Sequence, residues 1–240
     1  MTLPLRPINV FNAILLAFFF TIAWLLARPA ISRWWGRLFE YWCSWFGFDA
    51  RVQMVQIGTD GYFPSVMPQI AVPGRESDSI ILIITAILTI AAIWISFYLP
   101  ARFTPLIYFL RAIAVVQSTA LFYFTFFAAS FPHDLPGYIF TMLRTTMGFI
   151  SSVPAIMAFV YYIFDFSLIR KIFLTVLIMV HLAVFTPLHY LVQLYIIARF
   201  SLVFMPVLYT VFGLLLEVMV FIAFYSWGMS WKGREADSAW

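Results

Sequence analysis

Charge is scarce in this chain. Ten acidic and 14 basic residues make up 10% of 240 positions, too few and too dispersed to leave a hydrophilic stretch able to fold as a soluble domain. There is one cysteine, Cys43, which excludes an intrachain disulfide and a cysteine metal cluster. The three histidines, His133, His181 and His189, lack the H-x-x-x-H and H-x-x-E-H spacings that place two ligands on one helix face. Neither a glycine-rich phosphate loop nor a paired-carboxylate motif is present, so no cofactor is implied by motif. The net charge of +4 comes from basic residues scattered at the ends of apolar runs. Anionic headgroups and the positive-inside bias account for that pattern, and it does not suggest nucleic acid.

What fills the space is apolar. Hydrophobic residues are 64% of the chain, aromatics 20%, and the mean hydropathy is +0.98. A soluble domain cannot hide that much apolar surface, so the expected solvent is lipid. The expected fold class is all-α: a polytopic transmembrane bundle of six spans plus an amphipathic interfacial helix, forming a single membrane domain, 1–240. The spans are read at about 8–27, 79–99, 103–131, 137–164, 172–195 and 200–228. The first run resembles a signal peptide but is long for one and lacks a small-x-small site, which suggests an uncleaved span. No internal repeat is visible, so an inverted-repeat transporter fold finds no support.

Between the first and second spans lie two unusual stretches. Residues 31–48 interleave Trp34, Trp35, Trp42 and Trp45 with Arg33, Arg37 and Glu40. Tryptophan favours the headgroup level, so this segment reads as a helix lying in the membrane plane, anchored by those four rings. Residues 49–78 form the extramembrane segment. Arg51 to Ile57 alternates as a strand does, Gly58-Thr59-Asp60-Gly61 reads as a turn, and Pro64, Pro68 and Pro73-Gly74 exclude a continuing helix.

Six spans put both termini on one side. The short loops favour the cytoplasm, with Arg170-Lys171 and Lys232/Arg234 set against a Pro132–Pro136 loop without Lys or Arg. The bacterial inner membrane is the expected location.

Ionisable residues at bilayer depth are expensive and each needs a reason. Arg111, His181 and Glu217 fall at similar depth, ~12–17 Å from the cytoplasmic boundary by helix rise. They are expected to form one buried charge layer, with Arg111 and Glu217 as an ion pair that locks the third and sixth helices in register, or, as the alternative, a proton or ion relay. An outer polar cluster is expected from Arg144, His189, Gln193 and Asp134, in which Arg144 snorkels or pairs with Asp134 or helix-end carbonyls, or, as the alternative, binds an anion in a substrate site. The fourth span carries small residues at helical spacing, Gly148, Ser151, Ser152, Ala155 and Ala158, suited to close helix approach. Pro154 and Pro187 should kink their helices or free a carbonyl.

Three functions are compatible with these residues. The leading expectation is a subunit or scaffold of a larger membrane complex, whose partners are membrane lipids and other membrane subunits. The second is a small transporter or channel coupled through Arg111, His181 and Glu217. The third is an enzyme on lipid-linked or envelope substrates using Arg144, His189 and Cys43. The phenylalanine-rich surface is also compatible with a bound lipid, quinone or pigment.

Overall fold

The computed structural model describes residues 7–57, 65–75, 78–163 and 167–237. Residues 7–10, 65, 162–163 and 231–237 are described for their backbone only. The expected turn at Gly58–Gly61, Pro64, Arg6, Glu76 and Asp165 lie outside the described residues, as do the side chains of Lys232 and Arg234.

Among the described residues, six helices are long and apolar enough to cross a membrane. The elements in order are α1 (Pro7–Trp45), β1 (Arg51–Ile57), β2 (Ser65–Ala71), α2 (Ser79–Tyr98), α3 (Thr104–Phe126), α4 (Leu135–Ile163), α5 (Leu168–Arg199), α6 (Met205–Phe212) and α7 (Leu214–Asp237). The expected strand at 51–57 is present. Its partner is β2, paired antiparallel with Arg51 opposite Ala71 and Met54 opposite Pro68. The chain is therefore helical with one β-hairpin added.

Two element boundaries differ from the sequence reading. The first span and the interfacial helix are one continuous helix, α1, of 39 residues with Pro29 inside it. Proline ends a helix only when nothing else holds the chain straight. Here tertiary hydrogen bonds flank it: the Trp24 indole donates to Ser151 Oγ at 2.8 Å and the Trp35 indole to the Ala183 carbonyl at 2.9 Å. The second difference is in the sixth span, which is not continuous but breaks at Gly213 between α6 and α7. A Cβ at Gly213 would lie 2.3 Å from the Tyr209 carbonyl oxygen, so only glycine fits this corner.

The core is built by α1, α4 and α5, closed at one end by the hairpin. Met67 and Ile70 of β2 are fully buried, and β2 packs on both α1 and α4. Ser32 Oγ donates to the Val66 carbonyl. Gly74 fits between Leu135 and Leu202, and Leu202 N–H donates to the Arg75 carbonyl. These contacts gather the start of α4, the end of α5 and the start of α6 at the hairpin end. Outward-facing positions are apolar instead: Phe18, Leu26, Ile90 and Phe159 are each at least 65% exposed.

Candidate functional site

Gly213 sits within a long apolar run, and the break there has a polar consequence. A broken helix leaves backbone carbonyls without intrahelical partners. The Phe212 carbonyl accepts a hydrogen bond from Gln193 Nε2, and Gln193 Oε1 accepts one from the Tyr138 hydroxyl. One turn into α7 lies Glu217, completely buried. It is twelve residues from the start of α6, which places it ~18 Å along the span and near mid-depth.

The surroundings of Glu217 come from α4 and α5. Thr186 Oγ1 donates to Glu217 Oε1 at 3.1 Å. Thr146 and Tyr190 share a hydrogen bond at 3.1 Å, and their hydroxyls face the same carboxyl. His189 Nδ1 lies 3.8 Å from Glu217 Oε1, with the histidine side chain 9% exposed. The Phe185 and Phe212 backbones lie beside that ring, yet neither ring nitrogen meets a partner in hydrogen-bonding geometry, nor does Glu217 Oε2. A buried carboxyl with no Lys or Arg beside it among the described residues, and one oxygen without a partner among them, is an energetically demanding arrangement. It requires a proton, a cation or the imidazolium of His189 to balance it.

A cleft of about 540 Å³ runs from the hairpin end toward this cluster. His133, Asp134, Tyr209 and Thr210 are among its lining, and Tyr138 and Met142 belong both to it and to the ground around the break. Tyr138 thus joins the cleft to the buried group: its hydroxyl bonds Gln193, which bonds the carbonyl at the break.

The expected charge layer does not assemble around Glu217. Arg111 faces α2, where Nε donates to Ser96 Oγ at 3.3 Å and the guanidinium lies 4.9 Å from the Phe97 ring centre. His181 stacks on Phe185 at 5.4 Å, which in turn stacks on His189 at 5.1 Å. Those three rings form a ladder at four-residue intervals along α5, but His181 itself sits two turns from the carboxyl's partner.

The outer cluster divides. His189 lies beside Glu217 and Gln193 bonds the carbonyl at the break, whereas Asp134 stays at the mouth of the cleft. Arg144 is exposed. It is two positions from buried Met142 and Thr146 and so lies on the opposite face of α4. Of the four tryptophans, Trp35 is fully buried, while Trp34 and Trp45 are 41% and 70% exposed, and Trp42 packs edge-on against Tyr41 and Trp45. Cys43 is buried. A Cβ placed on Gly148 would meet nothing within 4 Å, so the small face of α4 is not used for close approach there. Its Ser151 instead receives Trp24.

Sequence reasoning missed Thr146, Thr186, Tyr138 and Tyr190. Part of this set carried a signal: Thr186, Tyr190 and Gln193 follow at four and three residues, one polar stripe in the apolar middle of α5. Compared with family models, curated proteins and solved structures, the chain matches none.

Proposed function

We propose that this is a multi-pass membrane transporter in which Glu217, with His189, is the coupling site for protons. The observation that carries the reading is the pairing of a fully buried, half-unsatisfied carboxyl with a broken helix. Interrupted membrane helices recur where a protein binds ions or substrates at mid-depth, because freed backbone groups become ligands. An ionisable residue in the same place is a functional group by default. The cleft supplies access from one end, and the Tyr138–Gln193 pair stands between it and the carboxyl. Proton binding at Glu217 would loosen or tighten the hydroxyl cage, and the Gly213 corner would let α7 respond.

This reading replaces Arg111 and His181 with His189 as the partner of Glu217. Arg144 lies apart from the cluster, which favours transport over catalysis by Arg144 and His189. A subunit role in a larger complex keeps one supporting feature. Among the described elements α2 packs mainly on α3, and its exposed Ile83, Ile87, Ile90 and Trp94 would suit a partner helix as well as lipid.

A hydrophobic carbodiimide tests the site directly, since it modifies protonated carboxyls in apolar surroundings. The expected result is modification of Glu217, located by peptide mass spectrometry, declining as pH rises and absent in Glu217→Gln. Labelling confined to the exposed acids would count against a proton-binding Glu217.

A further inference from the structure

Arg111 is the charge that the Glu217 site leaves unused. It projects from α3 into a groove of about 460 Å³ between α2 and α3. Ser96, Phe97, Ser118 and Thr119 line that groove, with Ile93 and Val115 as its apolar walls. None of the described residues lining it is acidic. Among the described residues the guanidinium meets one hydroxyl, Ser96 Oγ, whose own hydrogen goes to the Ile93 carbonyl, and one ring, Phe97. Arg111 itself lines the groove. Ser118 is seven residues from Arg111, hence on the same face of α3 and ~10 Å further along the groove.

Depth and surroundings define what would fill the groove. Arg111 lies seven residues into α3 and Ser96 two residues before the end of α2. By helix rise the guanidinium is rooted ~10 Å below the connection between the two helices, within reach of a headgroup layer for a side chain that extends toward the interface. Both helices present apolar surface on either flank, Ile95 at 55% and Val115 at 67% exposure. A water-soluble anion would have to cross that surface, whereas a lipid arrives along it. A planar guanidinium presents parallel N–H groups that match a pair of phosphate oxygens.

We infer that the α2–α3 groove is a binding site for an anionic phospholipid, with its phosphate on Arg111 and an acyl chain along Ile93 and Val115. This inference does not depend on the role of Glu217 and stands or falls separately.

The test uses the full-length protein in nanodiscs or detergent, probed with phosphatidylglycerol, phosphatidylcholine and inorganic phosphate, and read by native mass spectrometry. The wild type should retain one phosphatidylglycerol in preference to phosphatidylcholine. Arg111→Gln should weaken that retention by about tenfold or more, the scale of losing a hydrogen bond to a charged group. Arg144→Gln, at an exposed arginine elsewhere, should leave it unchanged. Should Arg111→Gln fail to fold, Ser118→Leu fills the same groove and should also displace the lipid. Equal retention in Arg111→Gln and wild type, equal retention of the two lipids, or displacement by millimolar inorganic phosphate would each overturn the assignment.

Discussion

At the scale of residues, the structure is organised by where unsatisfied groups find partners. Pro187 has no N–H, so the carbonyl four residues earlier, that of Ala183, is left without its helical donor. Trp35 from α1 supplies one at 2.9 Å. A freed carbonyl is legible from Pro187 in the sequence, but not that its donor is a tryptophan expected at the membrane surface. Replacing Trp35 with Phe should destabilise the protein by ~1–3 kcal/mol, the range for orphaning a buried acceptor, measured by thermal or denaturant unfolding in detergent. The same substitution should cost less in a Pro187→Ala background, where the helix supplies its own N–H, and a double-mutant cycle would expose that coupling. A strictly additive cycle would mean that the indole contributes only its packing. Glu217 presents the complementary lesson. Its burial and ionisable character are legible from sequence, and its depth follows from helix rise. Its azimuth is not legible. α3 turns Arg111 toward α2, and α5 turns His189 toward α7, so the partner is the histidine eight residues beyond the expected His181.

At the scale of elements, the spans themselves are the most legible feature, because long apolar runs leave few alternatives. Local breakers are less reliable guides. Pro29 lies in a helix that continues, held by Trp24 and Trp35 on either side. Gly213, inconspicuous in an apolar run, ends one. The difference is tertiary: α1 has partners along both halves, whereas the chain at Gly213 turns so closely that its own Tyr209 carbonyl fills the space of a side chain. Gly213→Ala should therefore either straighten the span or destabilise it, by ~1–3 kcal/mol if overpacking is the outcome. Helix rotation, followed by Gln193–Glu217 cross-linking or spin-label distances, would distinguish these. The hairpin offers a contrast within one element. Ile70→Ala should cost ~2–5 kcal/mol because the side chain is fully buried, while Gln53→Ala on the exposed strand should stay within ~0.5 kcal/mol.

At the scale of the whole molecule, the hairpin marks one end of the bundle and the α4–α5 connection the other. On a Cys43→Ser background, single cysteines at Gln53 and Thr210 should react with a membrane-impermeant maleimide from one side, and a cysteine at exposed Ser167 from the opposite side. Labelling of all three from the same side would exclude the proposed arrangement across the bilayer. Within that frame the cleft, the Tyr138–Gln193 pair, the Gly213 break and Glu217 lie in sequence from one end toward the middle. The most direct measurement is proton movement in sealed proteoliposomes under an imposed pH gradient and membrane potential, followed by a lumenal pH dye, for wild type and Glu217→Gln at equal, folded protein content. Protein-dependent proton flux is expected in the wild type, reduced to the level of empty liposomes in Glu217→Gln. Equal flux in both, or none in the wild type, would contradict a coupling role for Glu217.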